Sequence, residues 1–106
     1  RSVMNSRILS LLGLSRRAGK VVLGFMPTQA AVAKNKVEMI IIARDLSAHT
    51  REKVERLSLR KNVPLFEVPD RLELSKALGC QNLAVIGITC KQMAEALKES
   101  FSSADR

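Results

Sequence analysis

Two runs in this chain contain no polar side chain at all, 39-MIIIA-43 and 83-LAVIGI-88. Five or six apolar residues are too few for a helix and too uniform for a strand with one wet face. Such a run is the mark of a strand covered on both sides. A chain of 106 residues that builds a sheet from strands of this kind must also supply a layer of helices for each face.

Those helices are legible between the strands. The spacing predicts a helix over 5–18, with Asn5 or Ser6 as N-cap, Ile8, Leu11, Leu12 and Ser15 along one stripe, and Gly19 as its stop. The β-branched run 20-KVVL-23 follows and ends at Gly24. A second helix fits 27–35, with Pro27 at the first position, where a missing N–H costs nothing. Ser47 caps a helix over 48–61 whose outer face carries Arg51, Glu52, Lys53, Glu55, Arg56 and Arg60. Pro64 and Pro69 bound the strand 64-PLFEV-68. Asp70 then caps a helix over 71–78 that stops at Gly79. The last helix, 91–101, sets Met93, Leu97 and Phe101 four residues apart on its inner side.

The order α-β-α-β-α-β-α-β-α predicts an α/β fold, a three-layer α/β/α sandwich around a central sheet of about four strands. Strand order does not follow from the pattern. One domain is expected over 4–101. Residues 1–3 precede Met4 and read as foreign to it, and 102–106 read as a flexible tail.

Composition narrows the function classes. Hydrophobic residues make up 46% of the chain, which excludes general disorder. No apolar run approaches the roughly 20 residues of a membrane span, and no signal-peptide pattern opens the chain. Cys80 and Cys90 match no zinc spacing and read as buried free thiols, so a cytoplasmic protein is expected.

Catalytic constellations are scarce. His49 is the single histidine, and it sits beside a helix N-cap without a partner nucleophile. Glu52 and Glu55 stand among bases on an exposed face, and Asp45 fits a capping role. No phosphate-binding glycine loop, dinucleotide fingerprint or zinc-protease motif is present. The expectation is a protein that is not an enzyme and uses no cofactor or metal.

Charge is more informative. The chain has 18 Lys and Arg against 10 Asp and Glu, a net +8. Residues 1–44 hold eight bases and one acid, a net +7, whereas 45–106 hold ten bases and nine acids, a net +1. An excess so concentrated points to a polyanion, most often nucleic acid. The segment 15-SRRAGK-20 places Arg16, Arg17 and Lys20 around a turn. Gly24 brings the backbone to the mouth of the second helix, where free N–H groups and the helix dipole favour a phosphate. Thr28 and Gln29 keep polar groups in that turn. Lys34 and Lys36 lie at the helix's far end, Arg44 follows the second strand, and Pro69, Asp70 and Arg71 follow the third.

If the first three strands run the same way, the loops after 23, 43 and 68 converge. Arg16, Arg17, Lys20 and Arg71 are then expected to share one edge with Gly24. With three Phe and no Trp or Tyr, an RNA module that depends on a stacking sheet fits this composition badly. Phe66 and Phe101 read as core. For Phe25 two readings stay open, base stacking from an exposed loop and packing beside the helix start.

The blocks 11-LLGLSRRAGKVVLG-24, 39-MIIIARD-45, 63-VPLFEVPDRLELSKALG-79 and 83-LAVIGI-88 stand in an order and spacing that resemble the ribosomal L7Ae/L30e family. These are small α/β/α proteins that bind kink-turn and related structured RNA. The resemblance covers about residues 5–99 and is nearest to small bacterial, ribosomal-protein-like members. It implies RNA recognition by the glycine-led first turn of the second helix, with a pattern like G-x-N-E-x-x-K, helped by the loop 68-VPDRL-72. Carried over by position, the glycine is Gly24, but the asparagine falls on Met26, the glutamate on Pro27 and the lysine on Ala30. Neither Met26 nor Pro27 has a side chain able to hydrogen-bond a base edge.

The resemblance therefore implies a non-enzymatic protein that contacts structured RNA, ribosomal RNA or the ribosome, through its basic N-terminal side, with backbone and phosphate contacts leading. The alternative is a protein-interaction scaffold on the same fold, with Phe25, Met26 and Pro27 as the contact for a protein partner.

Overall fold

The computed structural model describes residues 5–104. Met4 and the expectations for 1–3 and 105–106 lie outside the described residues. Five helices alternate with four strands: α1 (Ser6–Arg17), β1 (Val21–Leu23), α2 (Phe25–Ala33), β2 (Met39–Ala43), α3 (Ala48–Lys61), β3 (Leu65–Val68), α4 (Arg71–Leu78), β4 (Val85–Ile88) and α5 (Lys91–Ala104).

Local chemistry sets most of these boundaries. Asn5, Ser47 and Asp70 each accept a hydrogen bond from the main-chain N–H three residues on, at the starts of α1, α3 and α4. Asn62 and Gly79 close α3 and α4 in the left-handed conformation. One boundary differs from expectation. The helix expected over 27–35 starts two residues earlier, so Pro27 is its third residue rather than its first. The first four N–H groups of a helix have no intrahelical acceptor, so proline is tolerated there as well. At the other end, α5 runs to Ala104 and includes residues assigned above to a tail.

The sheet is mixed, in the order β1-β4-β2-β3. β2 and β3 are parallel, with Ile42 opposite Glu67, while β4 runs antiparallel to both β2 and β1. β1, β2 and β3 therefore point the same way, and β4 lies reversed between β1 and β2. All five residues of β2 are buried. Alternate side chains feed two cores, as a pleated strand requires. Met39, Ile41 and Ala43 join Ile86 and Ile88 beneath α1, α4 and α5. Ile40 and Ile42 join Val85, Val32, Val54 and Leu57 beneath α2 and α3. The three layers are thus α1/α4/α5, sheet, and α2/α3. Phe66 and Phe101 stack in the first core with ring centroids 5.1 Å apart.

Gly87 of β4 lets α2 sit close. A Cβ there would come within 3.1 Å of both Thr28 Cγ2 and Val22 Cγ2.

Candidate RNA interface

The strand directions bring the C-terminal ends of β1, β2 and β3 to one edge of the sheet, together with the start of β4. The main-chain N–H of Gly24 donates to Val85 O at 2.8 Å, Ala43 N–H to Ala84 O at 2.8 Å, and Arg44 N–H to Val68 O at 2.9 Å. The loops after 23, 43 and 68 do converge, as their common direction requires. The segment leading into β4 joins them, and sequence reasoning missed it. Only the register of the reversed strand reveals that Asn82 and Leu83 approach this edge.

Gly24 is the N-cap of α2, with φ +99° and ψ 161°, a conformation that a residue with a Cβ rarely holds. Thr28 N–H closes the first helical bond to Gly24 O at 3.2 Å. That leaves the N–H groups of Phe25 and Met26 directed out of the helix, Pro27 having none. No side chain caps this end, and the first turn holds no acid. The positive end of the helix dipole is therefore uncompensated, a setting that favours an anion.

The side chains of the turn divide by face. Met26 is 69% exposed, while Thr28 is 1% exposed and packs toward Gly87 with its hydroxyl unpartnered among the described residues. The expectation that Thr28 offers an outward polar group is corrected, because helical spacing puts it on the sheet side. Gln29 remains exposed. Phe25 is half-buried against the α2/α3 core, with Lys53 Nζ 4.8 Å from its ring centroid. Of its two readings, the structure realises packing at the helix start.

The rest of this rim is tied together by ion pairs. Arg71 N–H donates to Asp45 Oδ1 at 3.0 Å, and its guanidinium reaches Asn82 Oδ1 at 3.0 Å and Asp45 O at 3.2 Å. One side chain thereby joins the loops that follow β2, begin α4 and precede β4. Arg44 Nε meets Glu67 Oε1 at 3.2 Å, and Arg51 bonds Glu67 and also donates to Arg44 O at 3.1 Å. The Arg51 hydrogen bond is the main reason that the Glu67 carboxyl is held below the usual glutamate range, with Arg44 adding to it and burial opposing. Asp70 caps α4, and Pro69 is half-buried beside it.

Lys20 is not on this edge. It precedes β1, and its carbonyl accepts from Thr89 N–H at 2.9 Å, beyond the other end of β4. Four residues of extended chain separate it from Gly24, about 13 Å. Lys34 is the C-cap of α2 and also lies at the far end. Arg16 is committed elsewhere, donating to Leu78 O at 3.1 Å and Cys80 Sγ at 2.8 Å at the end of α4. Arg17 folds back over Gly13, its Nη1 3.4 Å from where a Cβ would stand. The expected union of Arg16, Arg17, Lys20 and Arg71 beside Gly24 is therefore corrected for Lys20, and Arg16 is engaged with α4. Charge counted along the sequence does not record which end of a strand each residue occupies.

Cys80 and Cys90 are free thiols, half-buried rather than buried. Among the described residues, no helix is long and apolar enough to cross a membrane, and no group of three metal-ligating side chains occurs.

With the geometry in hand, comparison with known proteins is specific. The model of the ribosomal protein L7Ae/L30e/S12e/Gadd45 family matches residues 6–98. The chain is 32% identical over 93 residues to a protein of Enterococcus faecium named RNA-binding protein YlxQ, covering 88% of this chain and 89% of that one. It is 29% identical over 87 residues to the protein of the same name from Bacillus subtilis, covering 82% and 87%. A structure from Bacillus halodurans, of a protein of unknown function, superposes with a TM-score of 0.88 at 28% identity, over 92% of this chain and 99% of that one. The Giardia lamblia 15.5kD RNA binding protein shares the fold at 18% identity, with a TM-score of 0.78 over 93% of this chain and 85% of that one.

Proposed function

Because the chain belongs to the ribosomal protein L7Ae/L30e/S12e/Gadd45 family, we propose that it is an RNA-binding protein that meets structured RNA at the Gly24 edge. The observation that carries this reading is the bare N-terminus of α2. Two outward N–H groups, no capping side chain and no acid stand on a glycine turn, which suits a phosphate or a base oxygen. The names of the two YlxQ relatives support RNA as the partner, and support a binding protein rather than an enzyme.

On this reading the backbone of Phe25 and Met26 binds, Gln29 supplies the polar side chain, and Arg44 flanks this edge with its side chain half exposed. Arg71 and Asp70 hold the neighbouring loop in place rather than reaching outward. Pro69 shapes that loop. The RNA class is a kink-turn or similar fold, ribosomal RNA being one source, and the setting is the cytoplasm. Met26 and Pro27 replace polar readers with an apolar contact, so shape and backbone weigh more here than base-edge hydrogen bonds.

A titration tests this directly. The protein is titrated with a kink-turn RNA, with the same RNA after replacement of its G·A pairs, and with a plain duplex, each at two salt concentrations. Preference for the first is expected, with affinity falling steeply as salt rises. No binding to any of the three at low salt overturns the proposal. The exposed Met26, beside Pro27, favours a second reading, a protein partner at this turn, and that result would turn attention to it.

A further inference from the structure

The basic excess of this chain collects at the opposite end of the sheet from Gly24. α2 and α3 both end there, α2 at Ala33 with Lys34 as its C-cap and α3 at Lys61, where β2 and β3 begin side by side. The two connections face each other across an open cleft of about 400 Å³ lined by Asn35, Lys61, Asn62 and Lys98, with Glu38 its one acid. Lys34 and Lys36 flank Asn35 in the chain. Asn35 and Asn62 both hold left-handed backbone conformations, with φ near 58° and 57°, which fixes the two connections in tight turns.

Pairing separates the two ends. Beside Gly24, the guanidinium groups of Arg44, Arg51 and Arg71 all meet carboxylates. Among the described residues, Lys34, Lys36, Lys61 and Lys98 form no ion pair, and the first three are exposed. Lys98 also borders Glu95 and Glu99 on α5, so the unscreened charge belongs to the other three. One lysine at a helix C-terminus answers the helix dipole. Among the described residues, Lys61 lines the cleft with Glu38 as the acid of its lining, and Lys34 and Lys36 stand on either side of Asn35; three unpaired lysines exceed what two helix ends call for.

We propose that this lower edge is a second RNA surface, which holds the phosphate backbone of a further RNA segment without reading its sequence. The inference rests on the RNA reading given above for the Gly24 edge. Ammonium groups on flexible stems neutralise phosphates as point charges, and the asparagine amides between them supply neutral donors. The domain measures 30 × 28 × 27 Å, so RNA helices seated at the two edges stand apart. One protein molecule then joins two RNA segments.

The test uses the whole chain and two RNAs. A structured RNA that the protein binds is first saturated, and a labelled plain duplex is then added, with complexes resolved by gel mobility and mass. The wild type is expected to form a ternary complex. The triple variant Lys34→Ser, Lys36→Ser, Lys61→Ser is expected to keep the first RNA and bind the duplex at least about tenfold more weakly. Its slope of log K against log salt for the duplex should flatten by about 2 to 3. Circular dichroism melting checks that the variant is folded. If the duplex displaces the first RNA, or if the triple variant binds the duplex with unchanged slope, the second surface is overturned while the Gly24 reading stands. If neither RNA binds the wild type, both readings fall.

Discussion

Thr28 lies against Gly87, where an added Cβ would stand 3.1 Å from the threonine Cγ2. This contact seats α2 on the sheet and aims its N-terminus at the upper edge. It also explains why a polar residue in the first turn contributes no outward group. The hydroxyl of Thr28 is buried without a partner among the described residues, which costs about 1–3 kcal/mol. Thr28→Val should therefore raise stability by roughly 1 kcal/mol. Gly87→Ala should lower it by about 1–3 kcal/mol through overpacking. Urea unfolding midpoints at constant m decide both, and a neutral Gly87→Ala would show that α2 shifts freely.

Gly24→Ala addresses the turn itself. A φ of +99° resists any side chain, and holding it costs about 1–3 kcal/mol. Loss of stability is expected together with weaker RNA binding, because the N–H groups of Phe25 and Met26 are re-aimed. Gly19→Ala places a milder strain at φ +68° away from that turn. It should cost about 1–2 kcal/mol of stability and leave RNA affinity alone. Equal losses of affinity in both variants would remove the turn from the interface.

Restoring the family's polar pair makes a gain-of-function prediction. The double variant Met26→Asn, Pro27→Glu should sharpen preference for a kink-turn over its G·A-replaced form by about 1–3 kcal/mol, the worth of one bidentate base contact. The helix should tolerate the change, since a glutamate at its third position also complements the dipole. Unchanged discrimination in a side-by-side titration would place base reading elsewhere.

Glu67 gives a pH dependence with a defined sign. Its folded pKa is depressed, chiefly by the Arg51 hydrogen bond. The stabilisation is therefore present above the unfolded glutamate value and is lost as pH falls through the folded one. Thermal midpoints should drop on acidification from neutrality to about pH 3, and Glu67→Gln should flatten that part of the profile. A parallel profile in the variant would assign the acid sensitivity to other carboxylates.

Arg71 binds three loops, so Arg71→Lys is not a conservative change. Lysine keeps the charge but cannot reach Asp45 O and Asn82 Oδ1 together. A loss of about 1–2 kcal/mol is expected, with faster amide exchange at 80–84. If exchange there stays slow, the loop is held by Ser75, whose hydroxyl accepts from Leu83 N–H at 2.8 Å.

Much of this was written locally. The apolar runs at 39–43 and 83–88, and caps such as Asn5, Ser47 and Asp70, depend on neighbours within a few residues, so the α/β/α layering and most helix bounds can be read directly. Gly24 was legible as a special backbone position for the same reason. The start of α2 was misplaced by two residues because proline is equally tolerated at the first and third positions. Thr28 was misjudged because a polar residue in an exposed turn gives no sign of the glycine that its face will meet 59 residues later.

Local pattern is enough to assign the strands and helices, most of the apolar side chains they bury, and the amount of positive charge the chain carries. Where that charge ends up depends on how the strands are ordered in the sheet. Reversing β4 between β1 and β2 sets Gly24 beside Val85, and Lys20 at the opposite end, beside Thr89. Strand order and direction are long-range properties: they fix which strand ends are neighbours, and the local alternation of helices and strands leaves them open. For that reason the arginines of the Gly24 edge sit beside carboxylates, and the lysines without an ion pair among the described residues stand at the far edge.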